Sequence, residues 1–152
     1  MAIDPYAPCP CGSGKKLKFC CSDLASEIQK IEKLISGDQP HAALRFVEQL
    51  LEKQPERASL LDLRASIELA LEEFDAARET IQRYLALHPE NASAYGQAAI
   101  MAAARGETVA AVGALQAALE RAAGGALPQR VFEAIGAVGH ALLVAGDLFA
   151  AR

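Results

Sequence analysis

The sequence predicts an all-α protein, and two features of its composition support that prediction. Alanine accounts for 32 of the 152 residues, whereas threonine occurs twice and valine six times. Alanine is the best helix former, while β-branched residues are enriched in strands. The composition therefore argues against an all-β or parallel-sheet enzyme. Apolar residues make up 52% of the chain, which also argues against a disordered tail.

The first 22 residues contain every cysteine of the chain, at Cys9, Cys11, Cys20 and Cys21. Two close thiolates on each side of a short loop can converge on one tetrahedral metal ion. The sequence Gly12-Ser13-Gly14 provides the backbone freedom that such a loop needs. In a chain without an export signal, clustered cysteines indicate a metal site more often than disulfides. Disulfide pairing remains the alternative.

This run resembles the SEC-C motif, a small zinc-binding segment known from the tail of the SecA preprotein translocase ATPase. The resemblance covers about residues 8–22 and includes the four cysteines, the Cys-Gly-Ser-Gly-Lys-Lys core and the Lys-Phe-Cys approach to the second pair. SecA has a histidine as its last ligand, where this chain has Cys21. The resemblance implies Zn²⁺ bound by the four cysteines. It also implies a module that docks its host onto a partner such as an export chaperone or the ribosome, but no translocase activity.

Three lysines beside the cysteines, Lys15, Lys16 and Lys18, are candidates for partner binding. They give residues 1–22 a local charge of +2, whereas residues 23–152 carry −6. Four thiolates around a dication leave a charge of −2, so the same lysines would offset a metal cluster. The module is therefore either a docking site for a protein or ribosomal RNA, or a structural cap on residues 23–152.

A second pattern begins at residue 23, where apolar residues adopt helical spacing and recur with a period of about 34 residues. The pattern resembles the tetratricopeptide (TPR) repeat. Two units cover residues 58–91 and 92–125, a degenerate unit covers about 23–57, and an incomplete unit covers 132–152. The matching positions are Leu61, Ala65, Ala77, Ile81, Tyr84 and Pro89, then Tyr95, Ala99, Ala111, Leu115 and Ala118, then Ile135, Gly139, Leu142 and Ala151. The resemblance implies a TPR-like solenoid of helix-turn-helix pairs following the zinc module.

Breaks in the repeat pattern predict its joints. Gly106 is expected to form a tight turn between the two helices of the third unit. Residues 123–130 form an insertion, and Gly124 and Gly125 predict a flexible joint there. The sequence reaches Arg152 within what the pattern makes the second helix of the fourth unit. We therefore expect a fragment of a larger protein, or an array completed by a partner.

If the repeat alignment holds, the concave face of the solenoid presents small or apolar residues. The partner-binding candidates there are Ser59, Asp62, Ser66, Leu69, Ser93 and Ile100, with Gly96 and Ala103 alongside. Repeats that bind chaperone tails use a clamp of Lys, Arg and Asn for the terminal carboxylate, and that clamp is missing. A groove of this composition suits an apolar helix or an extended peptide. The alternative is that these residues only allow the helices to pack closely.

The sequence contains no paired acids, nucleophile elbow or cofactor loop, and no small-molecule substrate is evident. It also has no segment typical of an export signal or a transmembrane helix, which predicts a cytoplasmic protein. We predict a non-enzymatic, zinc-binding TPR adaptor or scaffold that mediates protein–protein interaction. The alternative is a regulatory or targeting N-terminal region of a larger protein whose catalytic part lies beyond Arg152.

Overall fold

The computed structural model describes residues 4–146, which fold into a compact N-terminal segment followed by seven α-helices. The helices are α1 Ala25–Ser36, α2 Pro40–Lys53, α3 Ala58–Ala70, α4 Phe74–Leu87, α5 Ala92–Ala104, α6 Thr108–Ala122 and α7 Gln129–Val144. Strand pairing within this range is limited to one isolated bridge between Pro8 and Lys16. The all-α prediction is confirmed. None of the described helices combines the length and apolarity needed to cross a bilayer.

The N-terminal segment is a reversed loop followed by two short 3-10 helices, Leu17–Phe19 and Ser22–Leu24. The loop closes through a backbone hydrogen bond in which the Cys9 N–H donates to the Lys15 carbonyl over 2.8 Å. Leu17 and Leu24 are buried. The segment therefore extends two residues beyond the predicted boundary at residue 22.

The remaining helices pack as successive antiparallel-type pairs, because each helix contacts its neighbours in sequence and α5 also contacts α3 and α7. A residue with left-handed backbone geometry recurs at the turns that follow the first helix of each pair. These residues are Asp38, Glu72 and Gly106, each 34 positions from the next, and Gly146 after α7. The recurrence agrees with the predicted 34-residue period, and Gly106 forms the turn expected of it. The additional six positions before Gly146 correspond to the loop of residues 123–128 between α6 and α7, which lies within the predicted insertion of residues 123–130.

Many of the residues that define the repeat pattern lie in the core of the array, but Ile135 of the predicted fourth unit is 40% exposed, whereas its neighbour Ala134 is buried. Among them Leu61, Ala65, Ala77, Ile81 and Tyr84 are buried, and so are Ala99, Ala111, Ala118 and Leu142. Small residues let the helices approach closely: a Cβ atom placed on Gly96 of α5 would lie 3.1 Å from the carbonyl oxygen of Arg130 in α7. Helix α7 begins at Gln129, three positions before the predicted start of the fourth unit. The rest of that unit, including Ala151, lies outside the described residues.

Candidate metal centre and groove

The four cysteines form one cluster, with all four Sγ atoms within 4.8 Å of one another. The Sγ atoms of Cys11 and Cys20 are 3.3 Å apart, and those of Cys20 and Cys21 are 3.9 Å apart. A zinc ion with four Zn–S bonds of about 2.3 Å has tetrahedral edges of about 3.8 Å. The cluster therefore has the donor set and spacing of a closed, structural metal site, with no coordination position left for a catalytic water.

The loop between the two cysteine pairs owes its shape to glycine. Gly12 and Gly14 both have φ of 73°, a left-handed geometry that glycine adopts without steric cost. Between them, the hydroxyl of Ser13 lies 3.2 Å from Cys20 Sγ, where it supports one ligand from outside the cluster.

The close approach of the four thiols couples their protonation. Burial raises the pKa of Cys9 to about 11. The hydrogen bond from Cys11 lowers the pKa of Cys21 to about 4, while that same bond, together with burial, raises the pKa of Cys11. The raised pKa values of Cys9 and Cys11 mean that these thiols hold protons that a metal ion must displace. A dication takes the place of those protons, so binding releases them.

The metal centre shares its hydrophobic core with the first helices of the array. Cys9, Cys11 and Cys21 are buried, and they belong to the cluster that contains Leu60 and Tyr84. The sequence interpretation placed a domain boundary at residue 22. In the structure, the packing is continuous across that boundary.

Polar contacts tie the cysteine segment to the helical array, and one of them joins Arg57 to Cys21. The side-chain amide of Asn91 donates to the Cys11 carbonyl over 2.5 Å, and the Cys21 thiol lies 3.7 Å from the hydroxyl of Ser59. Arg57 and Asp23 form an ion pair at 2.5 Å. Main-chain packing adds to these contacts, because a Cβ atom on Gly12 would collide with the Ser93 hydroxyl.

The structure corrects half of the predicted partner-binding face. Ser59, Asp62 and Ser93 are buried within the chain rather than presented to solvent. The cysteine segment covers Ser59 and Ser93, while Arg130 from α7 reaches Asp62. The repeat pattern could place these residues on the correct helix face but could not show that the chain itself covers that face.

Arg130 is a residue that the sequence interpretation missed. Its guanidinium donates to both carboxylate oxygens of Asp62, at 2.9 and 3.3 Å, and also pairs with Glu133. Gln97 donates to Asp62 Oδ1 over 2.9 Å. Burial raises the pKa of Asp62, and the charge of Arg130 opposes that rise. The sequence signal for this pair was a lone carboxylate, Asp62, among the small and apolar residues of the predicted groove face.

The other half of the predicted face is open. Ser66, Leu69 and Ile100 line a groove of about 320 Å³ between the first helices of successive pairs, with Arg130 and Glu133 along one wall. We call these residues the open groove. Leu69, Ile100 and Ala137 make its lining largely apolar.

The three lysines lie on the surface of the cysteine segment. Lys15 and Lys18 are exposed, as is Lys16 beside the bridge to Pro8. The ammonium groups of Lys16 and Lys18 lie 5.4 and 5.2 Å from the centre of the Tyr6 ring. Next to them the Phe19 side chain is 68% exposed. Exposed apolar and basic groups thus occur together on a loop that four metal bonds would hold rigid.

Comparison with known families agrees with the two patterns in the sequence. Residues 7–23 match the SEC-C motif, and residues 58–101 match the tetratricopeptide repeat. Searches of curated proteins and of solved structures give no significant match. The chain therefore carries a SEC-C motif followed by TPR-like helical repeats, and it combines a protein-interaction fold with a candidate metal site.

Proposed function

We propose that this protein is a non-enzymatic adaptor whose SEC-C segment holds a structural Zn²⁺ ion and whose open groove binds an apolar segment of a partner protein. The observation that carries the proposal is the open groove itself. Ser66, Leu69 and Ile100 leave a largely apolar channel along the concave side of a TPR-like array. Burial of apolar surface in such a channel would provide affinity, and the flanking charges of Arg130 and Glu133 would orient the segment.

The lysines contribute a second contact in this proposal. Lys15, Lys16 and Lys18 concentrate positive charge on a chain whose net charge is −4. Charge of this kind raises the association rate with an acidic surface and is screened by salt. Two linked contacts of modest strength reach useful avidity through effective concentration. The resemblance to the SecA tail makes an export chaperone and the ribosome the first partners to test.

The experiment captures proteins from native lysate with the full chain and quantifies each retained protein across variants. Ile100→Lys places a charge in the open groove, while Val109→Lys places the same charge on α6, where Val109 is 87% exposed and lies outside the groove. A true partner is lost with Ile100→Lys at any salt concentration and retained with Val109→Lys. Substituting Lys15, Lys16 and Lys18 with Glu weakens the binding of that partner mainly at low salt. If no retained protein distinguishes the two variants, the groove is not the binding site.

A further inference from the structure

The concave face of the array has a second half, which the SEC-C segment covers. Ser59, Asp62 and Ser93 lie on the same face of α3 and α5 as the residues of the open groove, one to two turns closer to the start of each helix. Pro8, Cys9 and Pro10 line a cavity of about 130 Å³ together with Asp62, Ser93 and Arg130. We call Ser59 and Ser93 the covered half, and Asp62 lies beside them under Arg130 of α7.

The polar contacts that hold this cover in place are few, although its buried side chains pack in the same core as Leu60 and Tyr84. Across the interface, Asn91 donates one hydrogen bond to the Cys11 carbonyl, and Cys21 makes a long contact of 3.7 Å with Ser59. The ion pair between Asp23 and Arg57 is solvent-exposed, so it contributes little. The segment is too short to fold without its metal, because its buried side chains are mainly the cysteines themselves and Leu17.

The close approach of Gly12 makes the fit depend on the shape of the metal loop. The Cα atom of Gly12 packs directly on Ser93 and Asn91, which leaves no room for a side chain. The left-handed geometry of Gly12 belongs to the loop that presents the cysteines. The shape that binds the metal is thus the same shape that fits the groove.

We propose that the SEC-C segment is an intramolecular cover of the TPR groove and that loss of zinc uncovers Ser59 and Ser93, which extends the surface available to a polypeptide partner. The zinc-loaded chain offers only the open groove to an apolar segment. The metal-free chain offers a longer channel with a polar, serine-lined extension. The gain in binding surface for a partner rests on the proposed function, whereas the release of the SEC-C segment does not.

Hydrogen–deuterium exchange on the full chain tests the uncovering, first with zinc and then after chelation under reducing conditions. Chelation is expected to abolish protection in the first turns of α3 and α5, around Ser59 and Ser93. Protection around Ser66 and Ile100 should remain. Unchanged exchange around Ser59 and Ser93 after metal removal would overturn the proposal. Exchange that rises equally throughout both helices would also overturn it, because the cover would then be inseparable from the fold.

A matched pair of glycine variants tests the contact without removing the metal. Gly12→Ala and Gly14→Ala introduce the same strain, because both residues have φ of 73°. Only the methyl group at position 12 collides with Ser93, whereas position 14 has no atom within 4 Å. Gly12→Ala should lose protection around Ser59 and Ser93 or lose zinc, and Gly14→Ala should do neither. Equal behaviour of the two variants would contradict the proposal. Hydrogen exchange and zinc content are both measured without a partner. Either result can therefore contradict the cover while the proposed binding of a partner in the open groove remains valid.

Discussion

The ion pair between Arg130 and Asp62 provides a quantitative test of how α7 is held on the array. The Asp62 side chain is 2% exposed and that of Arg130 is 20% exposed, so substituting Arg130 strands a buried carboxylate. Removing one partner of a buried pair costs about 3–5 kcal/mol. The hydrogen bond from Gln97 to Asp62 remains. We therefore expect Arg130→Met to lower the free energy of unfolding by about 3 kcal/mol, at the low end of that range.

The loss of stability in Arg130→Met should become smaller as the pH falls. Burial already raises the pKa of Asp62 above its ordinary value of 3.8, and removing the guanidinium raises it further. The native variant then binds a proton more tightly than the unfolded chain does. The free energy of unfolding of Arg130→Met therefore rises as the pH falls from the raised pKa of Asp62 towards 3.8. As a result, the variant and the unsubstituted protein differ less in stability at acidic pH than at neutral pH.

Urea denaturation followed by circular dichroism at about 222 nm, at neutral and mildly acidic pH, measures both effects. Arg105→Met is the matched control, because Arg105 pairs with Glu107 on the surface and should be dispensable. Combining Arg130→Met with Asp62→Leu should recover most of the loss, since no charge is left stranded. The reasoning is refuted if Arg130→Met behaves like Arg105→Met, or if its effect is the same at both pH values.

The metal cluster and the turns support three further predictions. Native mass spectrometry should find one zinc ion per chain and none in Cys20→Ser; a metal-free parent protein would contradict the cluster's assignment. In urea denaturation, Glu72→Gly should raise the free energy of unfolding and Gly106→Ala should lower it, each by up to about 1 kcal/mol, because both positions have left-handed geometry; changes of the opposite sign would refute the repeat turn. A protease of broad specificity should cut first at the exposed Gly124-Gly125 loop, and a first cut within a helix would count against that boundary.

Much of the fold could be predicted because the information is local in sequence. Buried positions such as Ala65, Ala77 and Tyr84 follow the helical period, and the turn at Gly106 follows from the repeat length. The cysteine pairs likewise lie close enough in sequence for their spacing to predict a shared ion. These features depend on neighbours within about one repeat.

The covered half of the groove could not be predicted, because it depends on contacts between distant parts of the chain. Gly12 is typical of a tight turn in the sequence, and nothing nearby indicates that Ser93 packs against it. Arg130 and Asp62 are 68 positions apart, and Arg130 also packs closely against Gly96 of α5. Pairing of this kind is decided by the packing of whole helices rather than by any local pattern.

The central claim is that the folded SEC-C segment shares a core with the first TPR-like helices and stabilises them. Thermal unfolding of the helices followed by circular dichroism, with zinc bound and after chelation under reducing conditions, tests it most directly. Because Cys9, Cys11 and Leu17 pack in the same core as Leu60 and Tyr84, zinc removal should lower the midpoint of the entire helical transition. A helical transition whose midpoint is the same with and without zinc would contradict the claim.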